Sequence, residues 1–442
     1  MIKGLTLRVR EVGVFLRPVR TRMPFRYGKA EVLGQPYAHL RVRFEPEVTG
    51  VSAAALPPLW FDKREGLTHE ESIRELLGSI RAAARVYTTL PAATAYGLHQ
   101  AGEPQARRRC AGMNDLTAGF GVALLDQAAI DATCRLAGRT FHQGLREDLF
   151  GFGPLPVPER PLGTILVRHT VGLSDPITRT DVAQSVQDGL PEALEDVIRT
   201  YGVRWFKVKI SGEADGTMDR LRRIASVLRG DYGVTLDGNE QFHSMGEVRD
   251  LVHRIDRDPL LGEFWRRTAW IEQPVDRNHS MEGPLPSLGK PVIIDESDGT
   301  DDAVDRALSL GYAGISAKNC KGVFRTLHSF RRVKETGAIL SSEDLMNIPV
   351  VPLQQDLSVA AALGIPHSER NGHHYIRAFE YVSPREREAA LRDYPSLYRP
   401  DPPSVRIEQG ALDLREVNAF AFGVRTEPDW EALAPAPDSA AS

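Results

Sequence analysis

Cysteine is scarce, long apolar runs are missing, and neither sign of charge is concentrated anywhere in the chain. Cys110, Cys134 and Cys320 are the three cysteines among 442 residues. So sparse and odd a set provides neither a disulfide framework nor a metal-like spacing, and it argues for a reducing compartment. No stretch approaches the roughly 20 apolar residues of a membrane-spanning helix. Lysine and arginine number 55 against 59 aspartates and glutamates, a formal net charge of −4. The densest basic spot, Arg107-Arg108-Arg109, reads as a solvated turn, so the footprint of a nucleic-acid binder is missing. G-x-G-x-x-G and P-loop motifs are absent, which speaks against a nucleotide enzyme. Charge interrupts Met1-Ile2-Lys3-Gly4-Leu5 too early for a secretory leader. The expectation is a cytoplasmic protein with no nucleic-acid or membrane partner.

What remains is an ordinary globular composition, 42% hydrophobic and 26% charged. The length calls for two lobes or one large domain with a cap. Over residues 1 to about 60, apolar and polar positions alternate (Leu5, Leu7, Val9; Leu40, Val42, Phe44), the period of half-buried antiparallel strands. Helical spacing follows over 68–88 (Ile73, Leu76, Leu77, Ile80) and 117–137 (Phe120, Leu124, Ile130). A first α+β lobe over 1–155 is expected, closed by a proline-rich link at 152–161.

Beyond residue 162 the rhythm changes to short β-rich runs alternating with amphipathic helices. Strands are expected at 164–170, 204–210, 233–237, 269–273, 291–295, 312–318 and 338–342, with a poorly marked eighth near 363–376. Such repeated units fit a closed parallel barrel over 162–378. A C-terminal segment, 379–442, returns to the first lobe, and its last dozen residues, rich in Ala, Pro and Asp, are expected to lack order.

Polar residues sit at the strand ends, where a barrel carries its chemistry. Three successive strands end in a carboxylate: Asp237, Glu272 and Asp295. Three converging anions repel, and a divalent cation with oxygen ligands resolves that. Lys207 and Lys209, two apart, share one strand face. Side by side near a metal they should depress each other's pKa, leaving one neutral enough to act as a base. Lys318 ends the sixth strand, on the opposite wall. The arrangement points to proton removal beside a substrate carboxylate, with the negative charge stabilised by the metal.

Lys207-Val208-Lys209, Asp237-Gly238-Asn239, Glu272-Gln273-Pro274, Asp295-Glu296-Ser297 and Ala317-Lys318-Asn319-Cys320-Lys321-Gly322, in this order, resemble the enolase superfamily. More narrowly they resemble the muconate-lactonising branch of the mandelate racemase/muconate-lactonising enzymes. The intervals from Lys209 through Asp237, Glu272, Asp295 and Lys318 are 28, 35, 23 and 23 residues, near one strand–helix unit each, with an insertion around 258–268. The resemblance implies an α/β fold, a modified (β/α)7β TIM-like barrel with an α+β capping domain built from both chain ends. It implies Asp237, Glu272 and Asp295 as ligands of Mg²⁺, with Mn²⁺ as an alternative. Lys209 and Lys318 would be the acid/base pair, Lys207 would tune them, and Asn239 and Glu296 would support the metal ligands. The implied partner is a small carboxylic-acid substrate. The outcome is racemisation or epimerisation, β-elimination or cycloisomerisation, in a homo-oligomer.

The loop Arg22-Met23-Pro24-Phe25-Arg26-Tyr27 is the candidate lid, with Arg22, Phe25 and Tyr27 toward substrate. The seventh strand ends in Ser341-Ser342-Glu343-Asp344, without the histidine of the mandelate racemase branch. The eighth offers His367-Ser368-Glu369, without the Asp-x-Asp of dipeptide epimerases. Glu343, His367 and Glu369 are therefore further candidates for the substrate's distal end. The adjacent His373 and His374 project differently and make a poor second metal site. Two other readings compete: a catalytically silent metal-binding barrel, and a metal-independent Schiff-base enzyme using Lys318.

Overall fold

In the computed structural model, which describes residues 4–28 and 30–437, three long antiparallel strands open the chain. They are β1 (Arg8–Tyr27), β2 (Ala30–Glu45) and β3 (Val48–Ala55), in the order β1-β2-β3. The segment expected to be a lid loop is thus the end of β1, beyond a bulge between Arg20 and Phe25.

Helices α1 (His69–Tyr87), α2 (Ala95–Arg109), α3 (Asp115–Ala137) and α4 (Phe141–Arg146) complete this lobe. A capping box of Thr68 and Glu71 starts α1, satisfying amides that the helix itself leaves open. Every residue of α3 from Leu116 to Cys134 is buried, because it packs on α1, α2 and β3. Such close packing needs glycine: a Cβ on Gly121 would lie 2.2 Å from the Ser79 carbonyl oxygen. Arg107, Arg108 and Arg109 form the last turn of α2 rather than a free turn, and Arg107 donates to the Gly299 carbonyl at 3.1 Å.

The barrel strands are β4 (Thr164–Val171), β5 (Trp205–Lys209), β6 (Gly233–Asp237), β7 (Thr268–Glu272), β8 (Val292–Ile294), β9 (Gly314–Ala317), β10 (Ile339–Ser342) and β11 (His367–Arg370). All pair in parallel, and β11 closes on β4 with Ser368 opposite Val167. Helices α5 (Leu194–Tyr201), α6 (Ala214–Val227), α7 (Met245–Arg257), α9 (Ala303–Ser309), α10 (Val323–Thr336) and α11 (Val351–Leu363) return the chain between strands. A buried stripe at helical spacing (Val248, Leu251, Val252, Ile255) seats α7. The extra helix α8 (Gly262–Arg267) fills the long interval before Glu272. Between β7 and β8 there is no helix among the described residues, so a regular strand–helix alternation fails there.

The tail pairs with both lobes. Ala411–Asp413 pairs antiparallel with β4, and Ala434–Pro435 pairs with β1. The latter pair lies inside the dozen residues expected to lack order, of which 438–442 fall outside the described residues. No described helix is long and apolar enough to cross a membrane.

Candidate active site

Alternation along β5 turns Lys207 and Lys209 to one face, the barrel interior, where they are 1% and 6% exposed. Lys207 Nζ donates to Glu272 Oε1 at 2.8 Å, Glu343 Oε2 at 2.5 Å and Glu369 Oε2 at 2.9 Å, and stands 3.0 Å from Asp237 Oδ2. Lys209 Nζ donates to Asp237 Oδ2 at 2.6 Å. Lys318, the residue after β9, donates to Asp295 Oδ2 and Glu343 Oε2, each at 2.7 Å. Its ammonium lies 5.2 Å from the centre of the Trp60 ring. Lys207, Lys209 and Lys318 all line one cavity, together with Asp295, Glu369 and Asn239.

The carboxylates dominate the electrostatics of Lys207 and Lys318. Burial alone would lower Lys207, but Asp237, Glu272, Glu343 and Glu369 together raise it well above its ordinary value. Lys318 is likewise raised, burial being outweighed by Asp295 and Glu343. Burial would raise Asp237, yet Lys207 and Lys209 bring it down to about 2. Glu343 falls well below its usual range, because Lys207, Lys318 and Arg168 outweigh its burial. Glu272 goes the other way, pushed well up by burial and then by Glu343.

Glu272, Asp295 and Glu343 each offer an oxygen within 4.8 Å of the others, close enough for one cation. Glu272 Oε2 is buried without a hydrogen-bond partner. The residues present therefore fit a divalent metal. Asp237 stands outside this trio, its Oδ2 engaged by both lysines of β5. Gln273 aims the ligand loop, since its Oε1 accepts from the backbone amides of Asp295 at 2.8 Å and Ser297 at 3.1 Å.

Asn239 donates through Nδ2 to Glu296 Oε1 at 3.1 Å, and Lys63 reaches the same oxygen at 2.9 Å. Lys63, unmarked in the sequence, thereby ties the cap to the barrel mouth. Arg277 grips Glu240 with two nitrogens at 2.8 Å and donates to the Trp60 and Phe61 carbonyls, holding Trp60 over the site.

Phe25 and Tyr27 line the cavity; Arg22 and His367 do not. Arg22 is a clasp: it bonds Asp188 Oδ1 at 2.8 Å and the His374 carbonyl at 2.8 Å. His367 begins β11, at the far end of the barrel from the lysine ends, and stacks on Trp205 with ring centres 3.9 Å apart. Glu343 is engaged by Lys207, Lys318 and Arg168. Arg168, fully buried, was missed altogether; nothing in Thr164–Val171 distinguishes it from a surface charge. His169 and His373 meet at 3.2 Å, and no metal cluster among the described residues includes the paired histidines. The cavity measures about 30 Å³, room for about two waters, beneath Phe25, Tyr27, Trp60 and Met346.

No protein-family model and no curated protein matches the chain. Solved structures do. A dipeptide epimerase from Enterococcus faecalis V583, complexed with Mg and L-Leu-L-Tyr, matches with TM-score 0.61 at 14% identity, over 82% of this chain and 90% of that one. An enolase from Bradyrhizobium, complexed with magnesium and mandelic acid, matches with TM-score 0.65 at 16% identity, over 98% of both chains. A 2-chloromuconate cycloisomerase from Rhodococcus opacus 1CP matches with TM-score 0.63 at 16% identity, over 97% of both. The protein has the fold of these three enzymes, a closed parallel barrel under a cap made from both ends of the chain.

Proposed function

We propose that the protein is a member of the enolase superfamily, an isomerase-type enzyme that takes the proton from the carbon beside a substrate carboxylate. The observation that carries this reading is the pair Lys209 and Lys318, from opposite walls, lining one carboxylate-rich cavity. An acid held between them has an amine on each side of its α-carbon. Lys209 or Lys318 removes the proton, and the other returns one or assists a leaving group. Lys207, held by four carboxylates, stays an ammonium and orients them.

The resident metal is Mg²⁺, replaceable by Mn²⁺, with Glu272 and Asp295 as two of its ligands. Either Asp237 or Glu343 supplies the third. When bound, the cation relieves the crowded carboxylates of their attraction for the lysines and stabilises the charge that gathers on the substrate's carboxylate oxygens. Asn239 and Glu296 hold the adjoining loop. Phe25, Tyr27 and Trp60 exclude water, which strengthens every charge interaction beneath them. A cavity of about 30 Å³ has less room than such an acid needs, so its lining must rearrange for substrate to enter.

A Schiff-base reading is disfavoured because it has no use for a metal, whereas Glu272, Asp295 and Glu343 gather oxygens close enough to hold one beside Lys318. The muconate-lactonising branch remains the favoured one within the superfamily, on the Lys207/Lys209 pair and Lys318. The test is α-proton exchange in D₂O with Mg²⁺ across a panel of carboxylic acids, read by mass spectrometry. Deuterium should enter an acid, and EDTA and at least one of Lys209→Ala and Lys318→Ala should abolish it. Tight Mg²⁺ binding with no exchange would leave a silent metal-binding barrel instead.

A further inference from the structure

The cavity roof contains a hydrogen-bond acceptor that nothing in the protein satisfies. Gln35, on β2, is 3% exposed and lines the cavity. Its Nε2 donates to Tyr37 Oη and to the Leu345 carbonyl, each at 3.2 Å. Its Oε1 is buried and has no partner.

The orientation of this amide is fixed by its neighbours. The Leu345 carbonyl can only accept. Tyr37 Oη gives its proton to the Met346 carbonyl, so toward Gln35 it too can only accept. Turning the amide over would set oxygen against oxygen at both contacts. Asn239 repeats the pattern in the same lining. Its Nδ2 must face the Glu296 carboxylate, and its Oδ1 is buried without a partner.

Among the described residues no arginine or histidine lines the cavity, so no cation outside the lysine–carboxylate cluster faces a second anion. Tyr27 Oη gives its proton to the Pro58 carbonyl at 3.3 Å. Phe25, Pro57, Trp60 and Leu345 contribute apolar surface. The cations of the lining are Lys207, Lys209 and Lys318, already held by the carboxylates of the site.

We propose that Gln35 Oε1 is a specificity-determining acceptor for an uncharged N–H or O–H group of the substrate. The substrate class is then a carboxylic acid with an apolar body and an amide N–H or a hydroxyl, and not a dicarboxylate. A ligand that reaches Gln35 Oε1 and donates to it gains a hydrogen bond that its methylated counterpart cannot make. A buried acceptor left unpaired costs about tenfold or more. This inference rests on the proton-abstraction reading of the same site.

The experiment compares matched acids in the α-proton exchange assay with Mg²⁺: an N-acetyl amino acid against its N-methylated form, and a hydroxy acid against its methyl ether. A dicarboxylate of similar length is included. In the native protein, at least one donor-bearing acid should exchange with kcat/KM about tenfold or more above its methylated partner and above the dicarboxylate. The amide and hydroxyl arms tell which donor is read. In Gln35→Leu the ratio should collapse toward unity. Equal exchange of parent and methylated acids by the native protein overturns the inference while proton abstraction stands, and so does a ratio that persists in Gln35→Leu. If Gln35→Leu fails to fold, Gln35→Met, which keeps the side-chain length without the amide oxygen, takes its place. No exchange with any acid removes the proton-abstraction reading, and this inference with it.

Discussion

Glu343→Gln tests how the barrel interior balances its charge. Glu343 Oε1 accepts from Arg168 Nη2 at 2.9 Å, and both side chains are fully buried. The lysines that share Glu343 keep other carboxylates: Lys207 retains Glu272 and Glu369, and Lys318 retains Asp295. Arg168 has no such reserve. Its remaining partners are Ser341 Oγ at 2.6 Å, the Ser342 carbonyl at 3.4 Å, His367 Nδ1 at 3.0 Å and the Trp270 ring, centred 5.1 Å from Cζ, none of them an anion. His367, brought down to about 3 by burial and by Arg168, is neutral near pH 7 and accepts. The substitution thus strands one buried guanidinium, which cannot shed its proton. Removing one partner of a buried pair costs about 3–5 kcal/mol. For 442 residues the unfolding entropy is about 0.9 kcal/mol/K, so the melting temperature should fall by about 3–5 °C. Scanning calorimetry reads this directly. Arg168→Met made in the same chain should recover part of the loss, since no stranded charge remains. A melting temperature unchanged within about 1 °C, or strictly additive effects in the double variant, would refute the reasoning.

The Arg22 clasp should be acid-labile. Burial would raise Asp188, but Arg22 and the Leu190 amide bring it down to about 2. A carboxyl lowered in the folded state stabilises above its unfolded pKa of about 3.9 and loses that contribution as pH falls toward about 2. Melting temperature against pH should therefore drop more steeply between about pH 4 and pH 2 in the native protein than in Asp188→Asn; parallel curves would remove Asp188 from the account. For the metal, calorimetric titration with Mn²⁺ should show that Glu272→Gln and Asp295→Asn each weaken binding more than about tenfold. The larger loss between Asp237→Asn and Glu343→Gln identifies the third ligand, and full-strength binding in the first two variants would dismiss the site.

The barrel was legible because its chemistry interrupts its hydrophobicity. Asp237 and Glu272 each end a buried apolar strand and Asp295 and Lys318 directly follow one, so the break shows in the sequence itself. The eighth strand lacked that contrast. Ser368, Glu369 and Arg370 are buried through ion pairs and hydrogen bonds, and a buried polar strand reads as a solvated loop. Depth along a strand was equally hidden. His367 and Glu369 share a face by alternation, yet two residues span about 6–7 Å of strand. One therefore belongs to the barrel floor with Trp205, and the other to the mouth with Lys207.

Gln35 and Lys63 were invisible for a different reason. Each comes from the cap, more than a hundred residues from the barrel groups it meets, and each is an ordinary polar residue in an ordinary local pattern. Local periodicity assigns a residue to an element and a face; it carries no information about which distant element that face will meet. The strand-end motifs could thus specify the cluster of carboxylates and lysines, but Gln35 and Lys63 come from the cap, and only the assembled fold brings them to it.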